Sequence, residues 1–329
     1  MFDLELERII DLIRNNKYKI LGIQLPEGLK DRATEIVNTI EKNTGVMVYI
    51  FGNPCYGACD LADSEALELG CDALIHFGHS EIFGKTKIPF HYIHVRSDRD
   101  PLPLLSENLG VLPKKIGVIT TIQHIHLIDK IVSSLENAGI EAYTGKSSGR
   151  VKFDGQVLGC SFSSAETIKD KVDAYLYIGT GDFHPLGVTL ATGKKTFVLD
   201  LERGVLRDIE DKKESILRKR FAKIAIAQDG KKFGIIVGEK IGQKRVSLAI
   251  ELKKMLEEQG KRGYLISLRE VTPDTLLPFR HLDAFVNTAC PRIAIDDADR
   301  YKKPLLTPVE LEIVLGNRGW ENYRMDEIP

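Results

Sequence analysis

Asp72-Ala73-Leu74-Ile75, Asp173-Ala174-Tyr175-Leu176 and Asp283-Ala284-Phe285-Val286 read alike. In each, an aspartate and an alanine introduce two residues suited to a strand. Each lies 51 to 58 residues beyond a strand-like run that opens with lysine, at Lys19, Lys115 and Lys232. A spacing of about 100 residues is too long for a solenoid unit. It points to three similar domains. Around each copy, β-branched runs alternate with helical periodicity, the pattern of a parallel sheet covered by helices on both faces. The expected fold is α/β, with three similar domains in a pseudo-threefold arrangement. Their expected bounds are 1–105, 106–210 and 211–329, cut in the Pro- and Leu-rich stretch Asp98–Gly110 and the charged stretch Arg207–Lys232.

The expected strands of the first domain are Lys19–Leu25, Val46–Phe51, Ala73–Phe77 and His91–Val95, with helices from Lys30 and over Asp63–Leu69. Those of the second are Lys115–Thr120, Ile140–Tyr143, Ala174–Ile178 and Thr196–Leu199, with a helix at Ile125–Asn137. The third has Phe233–Val237, Arg262–Ile266, Ala284–Asn287 and Pro304–Leu306, with a helix at Val246–Gln259.

The 329 residues are 43% hydrophobic and 28% charged, a globular mix. Lys+Arg 46 against Asp+Glu 47 leaves a net charge of −1, so no nucleic acid partner is expected through bulk charge. No apolar run approaches the ~20 residues of a membrane span. The opening segment reads as an acidic amphipathic helix and not as a signal peptide, which suggests a cytoplasmic protein. Five cysteines, Cys55, Cys59, Cys71, Cys160 and Cys290, are too few and odd in number for a disulfide framework. They are buried thiols, nucleophiles or metal ligands.

Common motifs fail. Gly78 to Gly84-Lys85-Thr86 and Gly187 to Gly193-Lys194 each have one residue too many for a phosphate loop. Gly179-Thr180-Gly181 lacks the third glycine of a dinucleotide fingerprint. No Gly-x-Ser-x-Gly elbow and no His-Glu-x-x-His helix occurs. Cys55 and Cys59 have the first spacing of the three-cysteine run of ordinary radical S-adenosylmethionine enzymes, but Ala62 takes the third place.

Three cysteines stand where strands feed loops: Cys59 in domain one, Cys160 in domain two, Cys290 in domain three. Ligands of open α/β sheets gather beyond the carboxyl ends of strands. Three such domains facing one axis would bring one thiolate each to a centre, and three thiolates suit an iron–sulfur cluster with one open iron. The alternative is that each is a small buried hydrophobe. That reading is preferred for Cys71. Cys55 is open between a zinc shared with Cys59 and a place beside the cluster.

Five segments carry a resemblance: Gln24-Leu25-Pro26-Glu27-Gly28-Leu29, Tyr56-Gly57-Ala58-Cys59-Asp60, Gly159-Cys160-Ser161, Gly179-Thr180-Gly181-Asp182-Phe183-His184-Pro185 and Asn287 through Asp297. In this order they resemble the archaeal diphthamide synthases, the 2-(3-amino-3-carboxypropyl)histidine synthases. The resemblance implies a homodimer and a 4Fe–4S cluster held by Cys59, Cys160 and Cys290. It implies transfer of the 3-amino-3-carboxypropyl group of S-adenosylmethionine to carbon-2 of a histidine imidazole in translation elongation factor 2. A neutral imidazole carbon is a poor nucleophile. The implied route is therefore one-electron cleavage of a C–S bond, by way of a radical, with release of methylthioadenosine and an unidentified electron donor.

Other motif residues then gain candidate roles. The backbone of Gly179-Thr180-Gly181-Asp182 offers N–H groups to S-adenosylmethionine. Gln24 offers an amide, and Arg292 a guanidinium for its carboxylate unless it pairs with Asp296 or Asp297. His79 and His184 are candidates for proton removal, against a structural role. His76/His79 and His91/His94 stand three apart on strands, so each pair is expected on opposite faces and not on one metal. Lys212-Lys213 and Arg218-Lys219-Arg220 are expected on a solvated helix face. Two other functions compete: a quinolinate-synthase-like 4Fe–4S dehydratase, and an iron–sulfur protein that only passes electrons or supports a partner subunit.

Overall fold

In the computed structural model, which describes residues 2–82 and 86–329, three main sheets share one strand order. The first runs Met47–Phe51, Ile20–Gln24, Ala73–Phe77, Phe90–Ile93. The second runs Glu141–Tyr143, Lys115–Thr120, Ala174–Ile178, Lys195–Asp200, and is extended by the antiparallel strand Val205–Asp208. The third runs Arg262–Leu268, Lys232–Gly238, Ala284–Asn287, Leu305–Leu306. Apart from Val205–Asp208, all neighbours are parallel. Counted along the chain within each sheet, the order is second, first, third, fourth every time. The expected strands and helices are all present. The residues Gly84-Lys85 of the failed phosphate-loop match lie outside the described residues.

The aspartate–alanine repeat has a physical meaning. The Asp72 carboxylate accepts the backbone N–H groups of Lys19 and Ile20 at 2.7 and 2.9 Å. Asp283 does the same for Lys231 and Lys232, at 2.8 Å each. Each clamps the start of a central strand. Two residues on, a bulky side chain lies opposite a glycine of that strand: Leu74 opposite Gly22, Tyr175 opposite Gly117, Phe285 opposite Gly234. A Cβ at Gly117 would come within 2.6 Å of the Tyr175 ring, and one at Gly234 within 2.7 Å of Phe285, so the glycine makes room for its neighbour.

Elements not foreseen include a short ribbon of Phe2–Asp3 with Arg96–Ser97, the strand Val205–Asp208 and the helices Phe183–Thr192 and Pro308–Val314. The basic stretches expected on a helix face do lie on a helix, Glu210–Gln228. That helix fills the charged stretch expected to be a boundary. Its Ile216 packs in the core of the second sheet, and its Ile224 and Ala227 in that of the third. The solvated face expected over Arg218-Lys219-Arg220 is corrected at Arg220, which is fully buried. Its guanidinium forks onto Glu310 at 2.7 and 2.5 Å and reaches the carbonyls of Ala294 and Leu305. A buried cation is tolerated only when paired and hydrogen-bonded in this way.

Candidate functional site

The three cysteine loops meet at the carboxyl ends of the sheets. Cys59 follows the strand Met47–Phe51. Cys160 lies beyond a segment that rejoins the end of Lys115–Thr120, where the Val157 N–H meets the Thr120 carbonyl at 2.8 Å. Cys290 directly follows Ala284–Asn287 and caps the short helix Pro291–Ile295.

The thiols feel one another. Burial pushes Cys290 up to about 12, and the neighbouring Cys59 and Cys160 sulfurs raise it further. Burial pushes Cys160 up to about 11, with Cys59 adding to the effect. Burial raises Cys59 as well. Cations oppose this: Lys240 and Arg150 act on Cys59, Arg150 and Arg245 on Cys160, and Arg292 on Cys290. Three soft donors from distant parts of the chain, ringed by positive charge, suit an anionic metal–sulfur centre, because coordination deprotonates a thiol that burial alone keeps neutral.

Backbone contacts lock these loops. Gly242 donates to the Cys59 carbonyl at 3.0 Å, and Gln243 Nε2 to Cys59 Sγ at 3.3 Å. Arg150 Nη1 donates to the Gly242 carbonyl at 2.8 Å. The Ile328 N–H reaches the Cys160 carbonyl at 2.8 Å. Arg245 donates to the Thr288 carbonyl at 2.6 Å and forks onto Asp326 at 2.9 and 2.5 Å. Lys240 is buried between Asp60 and Glu270, at 2.8 and 2.7 Å, with the Tyr56 ring 5.0 Å away. Sequence reading missed Arg150, Lys240, Gln243, Arg245 and Asp326. The local signal was Lys240-Ile241-Gly242-Gln243-Lys244-Arg245, a basic segment directly after a central strand, where ligand loops gather.

Gly179-Thr180-Gly181-Asp182 forms the turn from Ala174–Ile178 into the helix Phe183–Thr192, so its N–H groups stand at a helix N-terminus. Gly179 and Gly181 have φ of 146° and 77°, which only glycine adopts freely. Asp182 pairs with Arg207 at 2.8 Å. Arg292 pairs with Asp296 at 2.8 Å and lies 5.5 Å from the Phe183 ring, close enough to act on both Cys290 and His184. Gln24 is turned inward. Its Nε2 donates to the Asp60 carbonyl at 2.7 Å, and its Oε1 accepts from Ala62 N–H at 3.3 Å and faces His76 Nδ1 at 2.9 Å. Its amide ties the first strand to the Cys59 loop. His184 stacks on Tyr177 and is lowered to about 4 by burial, with Arg292 and His79 contributing.

The expectation that His76 and His79 face apart is corrected. The strand ends at Phe77, and Gly78, at φ 80°, turns the chain so that His76 Nε2 and His79 Nδ1 lie 2.9 Å apart. Burial lowers both, His79 to about 4. Cys55 joins them within 4.8 Å, its thiol raised to about 12 by burial. Two nitrogens bound to one zinc at ~2.1 Å would stand ~3.4 Å apart in a tetrahedron. The 2.9 Å contact is a hydrogen bond, and His76 is held from its other side by Gln24. Cys71 is a buried apolar contact, as expected.

Comparison with known proteins gives the class. The family model "Putative diphthamide synthesis protein" matches residues 25–324. The chain belongs to the diphthamide synthesis family and is a transferase enzyme of that family. It is 41% identical over 309 residues to the 2-(3-amino-3-carboxypropyl)histidine synthase of Pyrococcus horikoshii, covering 93% of this chain and 88% of that protein. It is 30% identical to the protein of that name from Methanocaldococcus jannaschii, covering 100% and 94%. The crystal structure of Dph2 from Pyrococcus horikoshii with a 4Fe–4S cluster superposes with a TM-score of 0.92 at 39% identity, covering 100% of this chain and 95% of that one. No helix among the described residues is long and apolar enough to cross a membrane.

Proposed function

We propose that this chain transfers the 3-amino-3-carboxypropyl group of S-adenosylmethionine to carbon-2 of a histidine imidazole in translation elongation factor 2, the first step of diphthamide biosynthesis. Cys59, Cys160 and Cys290 are the proposed ligands of a 4Fe–4S cluster, one from each of three domains (1–105, 106–210, 211–329) arranged with pseudo-threefold symmetry. The observation that carries this reading is that the three cysteine loops, 101 and 130 residues apart in sequence (160 − 59 and 290 − 160), are tied together across the sheets: Gln243 and Gly242 hold Cys59 while Arg150 holds Gly242, and Arg245 joins the Thr288 carbonyl beside Cys290 to Asp326, two residues from the Ile328 that holds Cys160. The protein works as a cytoplasmic homodimer with a one-electron donor.

When bound, such a cluster supplies one electron to the sulfonium and an open iron at which to hold the cosubstrate. The chain does the rest. The backbone of Gly179-Thr180-Gly181-Asp182, at the start of a helix, receives a carboxylate or hydroxyl of S-adenosylmethionine. Arg292, half-exposed beside Cys290, is placed to trade Asp296 for the carboxylate of the cosubstrate. Gln24 acts one step back, by holding the Cys59 loop and His76. His79 and His184 are neutral near pH 7 because burial holds both near 4, so each has a ring nitrogen able to take a proton or accept a hydrogen bond from the target imidazole.

The test is anaerobic reconstitution with iron and sulfide, then S-adenosylmethionine and dithionite. Wild type is expected to show an iron–sulfur absorbance and to release methylthioadenosine. Cys160→Ala is expected to lose both while keeping its circular dichroism. An unchanged spectrum in that variant would remove Cys160 from the ligand set. A full cluster with no methylthioadenosine would favour the dehydratase or electron-transfer reading.

A further inference from the structure

The three sulfurs of the proposed centre are served by three kinds of donor. Cys290 receives the backbone N–H of Arg292, and Cys160 the guanidinium of Arg150. Cys59 receives a neutral side-chain amide, Gln243 Nε2, at 3.3 Å. Gln243 is buried, on the short turn Ile241–Gln243 that follows the central strand of the third sheet. Cys59 belongs to the first. The donor thus reaches the sulfur from another sheet, 184 residues away in sequence. Its position is fixed on both sides: Gln243 N–H closes the turn onto the Lys240 carbonyl at 2.9 Å, and Gly242 N–H holds the Cys59 carbonyl at 3.0 Å. The main chain already holds Cys59 in place, so the side-chain amide is not needed for that.

An N–H aimed at a thiolate sulfur favours the more negative, reduced level of an iron–sulfur centre over the oxidised one, and so raises its reduction potential. We propose that Gln243 is a positioning residue that sets how readily a cluster bound at Cys59, Cys160 and Cys290 accepts its electron. This rests on the ligand set given under Proposed function. The step is the gain of one electron from an external reductant. No bond forms or breaks, and the amide keeps its proton.

The test compares wild type, Gln243→Leu and Gln243→Glu, each reconstituted anaerobically with iron and sulfide. Iron content and circular dichroism are measured first. The reduced fraction is then read by electron paramagnetic resonance at a series of dye-poised potentials, with no S-adenosylmethionine present. Loss of one neutral hydrogen bond is worth roughly three- to tenfold in the reduced-to-oxidised ratio at fixed potential. Tenfold corresponds to about 59 mV for one electron. Gln243→Leu is expected to keep the wild-type iron content and shift by that amount toward harder reduction. Gln243→Glu, which removes the donor and adds a negative charge in the same shape, is expected to shift further in the same direction. Equal midpoints in all three proteins overturn the proposal. So does loss of iron in both variants with the fold retained, since Gln243 would then serve assembly. Failure of wild type itself to take up iron would instead overturn the ligand set, and the two failures are told apart in the first measurement.

Discussion

The two ends of the three sheets are built differently. At the amino ends, contacts are local to one sheet: Asp72 clamps Lys19 and Ile20, and Asp283 clamps Lys231 and Lys232, both from exposed positions. At the carboxyl ends, contacts cross between sheets and are buried. Gln243 of the third reaches Cys59 of the first, Arg150 beside the second reaches Gly242 of the third, and the final residues reach Cys160. One end uses the same device separately within the first and third sheets. The other makes a single site that no unit contains alone. Substitutions at the amino ends should therefore cost a little stability and leave the proposed cluster site intact. Substitutions at the carboxyl ends should cost both.

The largest effect is expected at Asp326. Its carboxylate lies against Arg245, which holds the carbonyls of Thr288 and Ala289 beside Cys290, while Ile328 two residues on holds Cys160. Asp326→Ala strands a nearly buried guanidinium, a loss of about 3–5 kcal/mol. A urea midpoint should fall accordingly, and iron bound after reconstitution should fall with it, since two of the three cysteine loops lose a support. Full iron content in this variant would break the contrast between the ends. Asp326→Asn, which keeps an acceptor for Arg245, should recover part of both.

How far the sequence revealed this follows the same division. The amino-end repeat could be read in the letters because it recurs within each third of the chain: an aspartate and an alanine before a strand, 51 to 58 residues after a lysine-led strand. Strand positions followed from alternation and spacing for the same reason, whereas the order of the strands within each sheet came only from the structure. The three cysteines stood out because each follows a strand. The groups that bring them together did not stand out, since nothing near Gln243 or Asp326 in sequence says that its partner is 184 or 81 residues away. Arg220 was misread for a related reason. Its helix carries charge on every side, and the Glu310 that neutralises it lies 90 residues on. The contact between His76 and His79 was missed because a strand rule was carried past the end of the strand, through a glycine with positive φ.

The smallest effect is the sharpest test of the repeat itself. In the second sheet the backbone half of the clamp is kept, with Asp173 N–H on the Lys115 carbonyl at 2.9 Å, but the Asp173 carboxylate makes no hydrogen bond to the chain among the described residues. By register the equivalent donors would be the N–H groups of Lys114 and Lys115. Asp72→Ala should cost about 1 kcal/mol, the worth of an exposed hydrogen-bonded pair, whereas Asp173→Ala should stay within about 0.5 kcal/mol of wild type. The pH dependence of the Asp72 clamp gives a second check. The N–H groups of Ile20 and Lys19 hold the Asp72 carboxyl below its ordinary value. A carboxylate whose folded pKa is lowered adds stability above its unfolded pKa of about 3.9, and that stability is lost as pH falls through the folded value. The gap between wild type and Asp72→Ala in a urea midpoint should be full at pH 7 and should close on acidification below about pH 4. If Asp173→Ala cost as much stability as Asp72→Ala at pH 7, the carboxylate would be acting through a general charge effect rather than through the clamp.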